Sequence, residues 1–228
     1  MKKSGLVNKS TLRWLERALL VIGIFCLGVF AYAWVDAKVY QYQENKLLDD
    51  SASQAAASRA AAETDALASF QERDAGPKPR QEPKEEGALV GRVEIPRIGV
   101  SGIVLEGVEK KTLRRGIGRI PGTALPEDGG NVGLAAHRDS FFRGLKDIRK
   151  NDIITLKTLE STYYYRVDWT QIVKPEDTHV LEDTGAPELT LVTCYPFYYV
   201  GSAPKRFVVR AERIDESAAL DELRKVGS

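Results

Sequence analysis

The chain has 228 residues, with 33 Lys plus Arg against 32 Asp plus Glu, two His and two Cys. A net charge of +1 argues against nucleic-acid binding driven by bulk positive charge. So few Cys and His exclude a disulfide framework and a His-rich metal tract, and 43% hydrophobic with 29% charged residues excludes global disorder.

The apolar content is concentrated near the N-terminus. Ala18 to Val35 reads ALLVIGIFCLGVFAYAWV without a charge, close to the roughly 20 residues a helix needs to cross the hydrocarbon core. Lys2, Lys3, Lys9, Arg13 and Arg17 precede it against Glu16 alone, and residues 36–50 that follow carry four acids and two lysines. This asymmetry predicts an uncleaved single-pass anchor over 18–35, with residues 1–17 cytoplasmic and everything after Asp36 outside. Ala31, Tyr32 and Ala33 form an A-x-A pattern, but the apolar run exceeds the roughly 7–15 residues usual in a cleaved signal. Cys26 lies inside this run and reads as a small hydrophobe.

Residues 36–73 are rich in Ala, Gln and Glu and lack Gly and Pro, which predicts a helical, weakly packed stalk. Residues 74–88 (DAGPKPRQEPKEEGA) hold three prolines and many charges and read as an extended linker. The folded domain is then 89–214. Its texture is β: LVGRVEIPRIGV broken at Pro96, NVGLAAH, DIITLKTL, YYYRVDWTQIV, ELTLVTC and KRFVVRAE, with Gly- and Pro-bearing turns between them. Six to eight short strands of this kind predict a barrel or sandwich. Alternation places Tyr163, Tyr165, Val167 and Trp169 on one face. Brief helical elements are expected at 140–148 and near Glu176–Val180. Asp215 caps a possible short helix in the tail, 215–228. GIGRIPG and EDGGNVG read as turn punctuation.

Cys194 is the one cysteine of the domain, at the end of a strand pattern. It is either a buried structural thiol or a reactive one, and an oxidising compartment favours the second. An imidazole beside a thiol takes its proton and activates it. His137, closing NVGLAAH, and His179, in KPEDTHVLED, are the two possible partners, and the matching strand-end position favours His137. Acyl transfer also needs a group over the developing oxyanion. If the strands 188–194 and 205–212 are neighbours, a basic side chain of the second reaches Cys194. Arg206, Val208 and Arg210 share one face of it, and Arg210 reads as a solvent-facing charge on an edge strand. Zinc has no close ligand pair, and neither a phosphate-binding loop nor a G-x-S-x-G elbow occurs.

TLVTC at Thr190–Cys194 resembles the TLxTC signature of the sortases, membrane-anchored cysteine transpeptidases. NVGLAAHRDSFFRGL resembles that family's catalytic-histidine segment and APKRFVVRA its catalytic-arginine segment. RVEIPRIGVSGIVLEG resembles its opening strands. The resemblance covers about 89–212, and TLVTCYPF with GTALPEDGGNVGLAAHRD is most similar to class D members. It implies an all-β, closed eight-stranded barrel with short helices. It also implies cleavage of an LPxTG- or LPxTA-like C-terminal sorting signal after Thr, through a thioacyl-enzyme on Cys194, with transfer to an amine acceptor or water. His137 would serve as acid and base and Arg206 as the group holding substrate and oxyanion, while Thr193 would help orient the peptide. The acceptor would be a peptidoglycan precursor or a pilin lysine. No cofactor is implied, and calcium dependence is left open by the sequence. The competing readings are another thiol-dependent cell-wall peptidase or L,D-transpeptidase, and a non-catalytic anchored β-domain that binds an envelope partner.

Overall fold

Short strands separated by turns leave open backbone edges unless the sheet closes on itself. A computed structural model of the chain describes residues 13–31, 35, 39, 46, 85–199 and 201–226. In it eight strands form a closed barrel in the order β1-β2-β3-β4-β7-β8-β6-β5. The strands are β1 (Leu89–Ile95), β2 (Val100–Glu106), β3 (Ile117–Arg119), β4 (Asn131–Ala135), β5 (Ile153–Lys157), β6 (Thr162–Val173), β7 (Glu188–Tyr195) and β8 (Lys205–Ile214). The β2–β3 and β4–β7 pairs are parallel and the others antiparallel. The seam closes where β1 meets β5. Gly91 is required there, because a Cβ would come within 2.2 Å of the Lys157 carbonyl oxygen.

The chain falls into two units, Met1–Tyr40 and Gln41–Ser228. In the first, helix α1 (Arg13–Ala31) has 19 residues and a mean hydropathy of 1.9. At 1.5 Å per residue it is about 28 Å long, enough to cross a membrane. Its apolar side chains, Phe25 and Phe30 among them, are exposed. Most of the stalk expected over 36–73 and most of the linker over 74–88 lie outside the described residues. Residues 85–88 are described, and they are already docked. Gly87 N–H donates to Glu106 O and Glu106 N–H to Ala88 O, both at 2.8 Å. The Glu86 carboxylate accepts from Thr112 Oγ1 at 2.6 Å and fills the space beside Gly107, which has φ +86°.

Period-two alternation fills the barrel. Leu189 and Leu191 of β7 and Val209 and Ala211 of β8 point inward, with Val93, Leu134, Leu156, Tyr165 and Val167. Burial raises the pKa of the Tyr163 and Tyr165 phenols, which therefore stay neutral. Trp169 departs from the expected shared face. A bulge between Val167 and Trp169 shifts the β6–β8 register by one residue, which turns Trp169 out of the barrel. It packs instead with Val173, Val180, Leu181 and Val208 in a second, smaller cluster.

That outer cluster corrects the reading of Arg210. Strand β8 is central, between β7 and β6, and Arg210 is 5% exposed. Its guanidinium is paired with Glu188 and donates from Nη2 to Val180 O at 2.6 Å, and it lies over the Trp169 ring at 5.5 Å. The segment joining β6 to β7 covers this face, and Arg210 fastens it from beneath. GIGRIPG was also more than a turn, since Ile117–Arg119 is β3, with Arg119 donating to Glu106 at 2.6 and 2.8 Å inside the wall. Helix α2 (Lys110–Arg115) was not anticipated. The other expected helical elements are 3-10 turns at Arg143–Asp147 and Thr178–Leu181, and helix α3 (Glu216–Val226) packs on β5 and β6 with Ala219 fully buried.

Arg210→Ala takes the cation away from the half-buried Glu188 carboxylate, which keeps Thr184 as a donor, and releases the covering segment, so it should destabilise the domain by about 1–3 kcal/mol in urea unfolding. Lys150→Ala, which removes the exposed pair with Asp168, should cost less than about 1 kcal/mol. Equal effects from the two would contradict the buried role of Arg210.

Candidate active site

Cys194 stands next to last in β7, and its partner across the ladder is Arg206, second in β8. Residues directly opposite on antiparallel strands project to the same face. Cys194 and Arg206 therefore leave the sheet together on the outer face, with the Val192–Val208 and Thr190–Arg210 pairs further along it. The neighbouring-strand arrangement considered from the sequence is thus the one found. Arg206 is half-buried, and its Nη1 donates to Lys205 O at 3.0 Å and Ala203 O at 3.3 Å.

His137 arrives from the other side. Strand β4 runs parallel to β7, with Ala135 level with Val192, so both chains leave the sheet at the same end. Ala136 N–H still donates to Val192 O at 3.3 Å. His137 then opens a turn in which its carbonyl accepts from Ser140 N at 3.4 Å and Phe142 N at 3.2 Å, and Phe142 is fully buried. The imidazole is carried on a turn anchored at both ends. It shares with Cys194 and Arg206 a cleft of about 260 Å³, whose remaining walls are Arg138, Asp139 and Gly201–Ala203.

His179 lies on the exposed 3-10 turn after β6 and does not line the cleft, so of the two histidines only His137 is brought to Cys194. Thr193 points into the barrel. It is 2% exposed, and its hydroxyl donates to Ala136 O at 2.8 Å, so its side chain fastens β7 to the chain leading into His137 and presents nothing to the cleft surface. Arg138 is a cleft residue that sequence reasoning passed over. Its position directly after His137 was the only available signal. A larger cavity, about 420 Å³, lies at the opposite end of β4 against Arg119, Thr123, Asn131, Leu181 and Asp183, and no Cys or His lines it. Among the described residues no cluster of three or more His, Cys, Asp or Glu side chains is placed to hold a metal ion.

A thiol, an imidazole and a guanidinium in one open cleft form a set suited to acyl transfer. In such chemistry a thiolate is the nucleophile, an imidazole moves the proton, and a guanidinium faces the developing negative charge. The sortase domain model matches residues 93–214 of this chain. The chain belongs to the sortase family. Sortase D of Bacillus subtilis is 34% identical over 131 residues, covering 57% of this chain and 66% of that protein. Sortase A of Bacillus anthracis is 31% identical over 134 residues, covering 57% and 62%. The chain thus spans just under two thirds of the length of these curated relatives. Among solved structures, a Clostridium perfringens Sortase D5 transpeptidase superposes with a TM-score of 0.51 at 28% identity, covering 56% of this chain and 79% of that one. Sortase A from Corynebacterium diphtheriae gives 0.53 at 32% identity, covering 57% and 62%.

Thr193→Val keeps the β-branched shape but leaves the Ala136 carbonyl without its donor. A buried acceptor left unpaired costs about 1–3 kcal/mol. Urea unfolding should show that loss, and an unchanged midpoint would mean that this hydrogen bond does not tie the two strands.

Proposed function

We propose that this chain is a membrane-anchored cysteine transpeptidase acting on C-terminal sorting signals of the LPxTG or LPxTA kind. The observation that carries the reading is the register of Cys194 against Arg206, with His137 in the same cleft. Cys194 Sγ attacks the threonine carbonyl carbon. The C–N bond to the next residue breaks as His137 gives its proton to the leaving amine, and a thioester remains on Cys194. An incoming amine, relieved of its proton by His137, attacks the thioester and restores the thiol; water does the same more slowly. Arg206 donates to the substrate and to the carbonyl oxygen as charge builds on it. Two of its donors are oriented by backbone carbonyls, so the fork meets the oxyanion pre-organised. Thr193 acts as a positioning residue through Ala136.

The likeness to Sortase D of Bacillus subtilis and to the Clostridium perfringens Sortase D5 transpeptidase supports a class D assignment. The charge asymmetry around α1 supports a cytoplasmic N-terminus and a catalytic domain on the outer side of a bacterial cytoplasmic membrane. The acceptor is a primary amine of the cell envelope, such as that of a peptidoglycan precursor.

The test incubates the full chain in detergent micelles with a library of LPxTG- and LPxTA-like peptides, with and without an amine. Mass spectrometry should find a peptide adduct on Cys194 and, with amine, a transpeptidation product. Cys194→Ala should abolish both, and His137→Ala should lower turnover by a factor on the order of 10²–10⁴. Arg206→Lys, lacking the planar fork, should lower it by about 10²-fold or more. Folded protein with a free thiol that forms no adduct with any peptide would falsify the reading.

A further inference from the structure

Beyond Cys194, His137 and Arg206, the cleft contains a side chain whose bonding is unusual for its exposure. Arg138 is half-buried and follows His137 directly. Among the described residues its guanidinium pairs with no carboxylate. It donates from Nη1 to Pro196 O at 3.0 Å, and from Nη2 to Tyr199 O at 2.7 Å and Gly201 O at 3.1 Å. The Tyr199 ring also lies 5.8 Å from it. Three carbonyls of one loop, the connection leaving β7 after Cys194, converge on this one cation. Little apolar burial holds the outer part of that loop, since Tyr198 is 82% and Tyr199 47% exposed. Phe197, packed edge-on against Tyr195 and Phe207, anchors it to the barrel mouth.

The grip extends to the catalytic group. Gly201 is held by Arg138, and two residues on Ala203 O accepts from Arg206 Nη1. Gly201–Ala203 is a wall of the cleft. The two arginines therefore hold the ends of a three-residue segment that faces Cys194. Arg138 reaches it from the turn that carries His137.

We infer that Arg138 is a positioning residue. It shapes the loop after Cys194 around its guanidinium, and through Gly201–Ala203 it sets the angle of Arg206, so that the histidine turn, the cleft wall and the arginine move as one piece. A guanidinium is needed because three carbonyls in different directions require a fixed fork of donors. An ammonium carries the same charge but not that geometry.

The inference rests on the proposed transpeptidase activity for one of its two readouts only. Full-length Arg138→Lys and Arg138→Gln are compared with the unaltered chain in detergent micelles. The first readout is limited chymotrypsin digestion, since the loop carries Phe197, Tyr198 and Tyr199. Cleavage there requires local opening. Mass spectrometry should show it at least about tenfold faster in both variants, with cleavage within β6 and β7 unchanged. The second readout is turnover of a sorting-signal peptide. A displacement of the reacting groups by about 1 Å costs up to about a hundredfold, so kcat/KM should fall by tenfold to about a hundredfold in both variants, with kcat carrying most of the loss. Restoration of both readouts by Arg138→Lys would show that charge alone matters and overturn the inference. Unchanged loop cleavage in both variants would overturn it whatever the activity does. If the unaltered chain turns over no peptide, the functional reading fails separately, and the digestion still decides the role of Arg138.

Discussion

Antiparallel pairing of β7 with β8 puts Cys194 across from Arg206, and a slip of one residue would turn one of those side chains into the barrel. What prevents the slip is burial on both faces. Inside, Leu189, Leu191, Val209 and Ala211 are fully enclosed. Outside, Val208 packs under the segment joining β6 to β7, and Arg210 meets Glu188. A shift of one residue would carry the inward set out and the outer set in, and along the central stretch both sets are packed, so the geometry at the ends follows from packing several residues away.

The second constraint is the parallel pair β4–β7. Parallel neighbours end at the same edge of a sheet, so a strand that leads into His137 delivers an imidazole to the edge where Cys194 emerges. The Thr193 hydroxyl, spent on Ala136 O, ties the two ends together just before both chains depart. One histidine and one cysteine 57 positions apart thus meet through a shared edge. His179 begins from a similar sequence environment of charged neighbours, but it follows β6 and sits on the segment that covers the outer face.

Much of this could be read from the chain itself. The strand runs, the long apolar helix and the strand-end positions that bring Cys194, His137 and Arg206 to one cleft all show in local signals: alternation, an uninterrupted apolar run and strand-end position. What could not be read depends on partners distant in sequence. Arg210 sits in KRFVVRAE with nothing nearby to mark it as buried, because Glu188 and Val180 lie 22 and 30 positions away. Trp169 continues the alternation of β6, and only the bulge opposite β8 sends it to the other face. Thr193 looked like a substrate contact because it adjoins Cys194, but adjacent residues in a strand point in opposite directions. Strand β3 is three residues with Gly118 at its centre, too short for any period to register.

The same distance argument explains how the loops are held. The connections of this barrel are polar and offer little apolar area to bury, yet their carbonyls need donors wherever they turn away from water. Arginine supplies them in case after case. Arg97, paired with Asp152, also donates to Asp147 O, and Arg119, paired with Glu106, to Thr123 O. Arg210, paired with Glu188, donates to Val180 O. Each spends part of its fork on a carboxylate and the rest on a loop carbonyl. Arg138 spends all its observed bonds on carbonyls, and it does so beside the cleft. The balanced composition of the whole chain is therefore not simply a mixed surface. Part of its positive charge is turned inward as fastening, and beside the cleft Arg138 and Arg206 both spend it on carbonyls of the loop that follows Cys194. Such a clamp fixes the shape of that loop without burying it, so the cleft can stay open to a peptide.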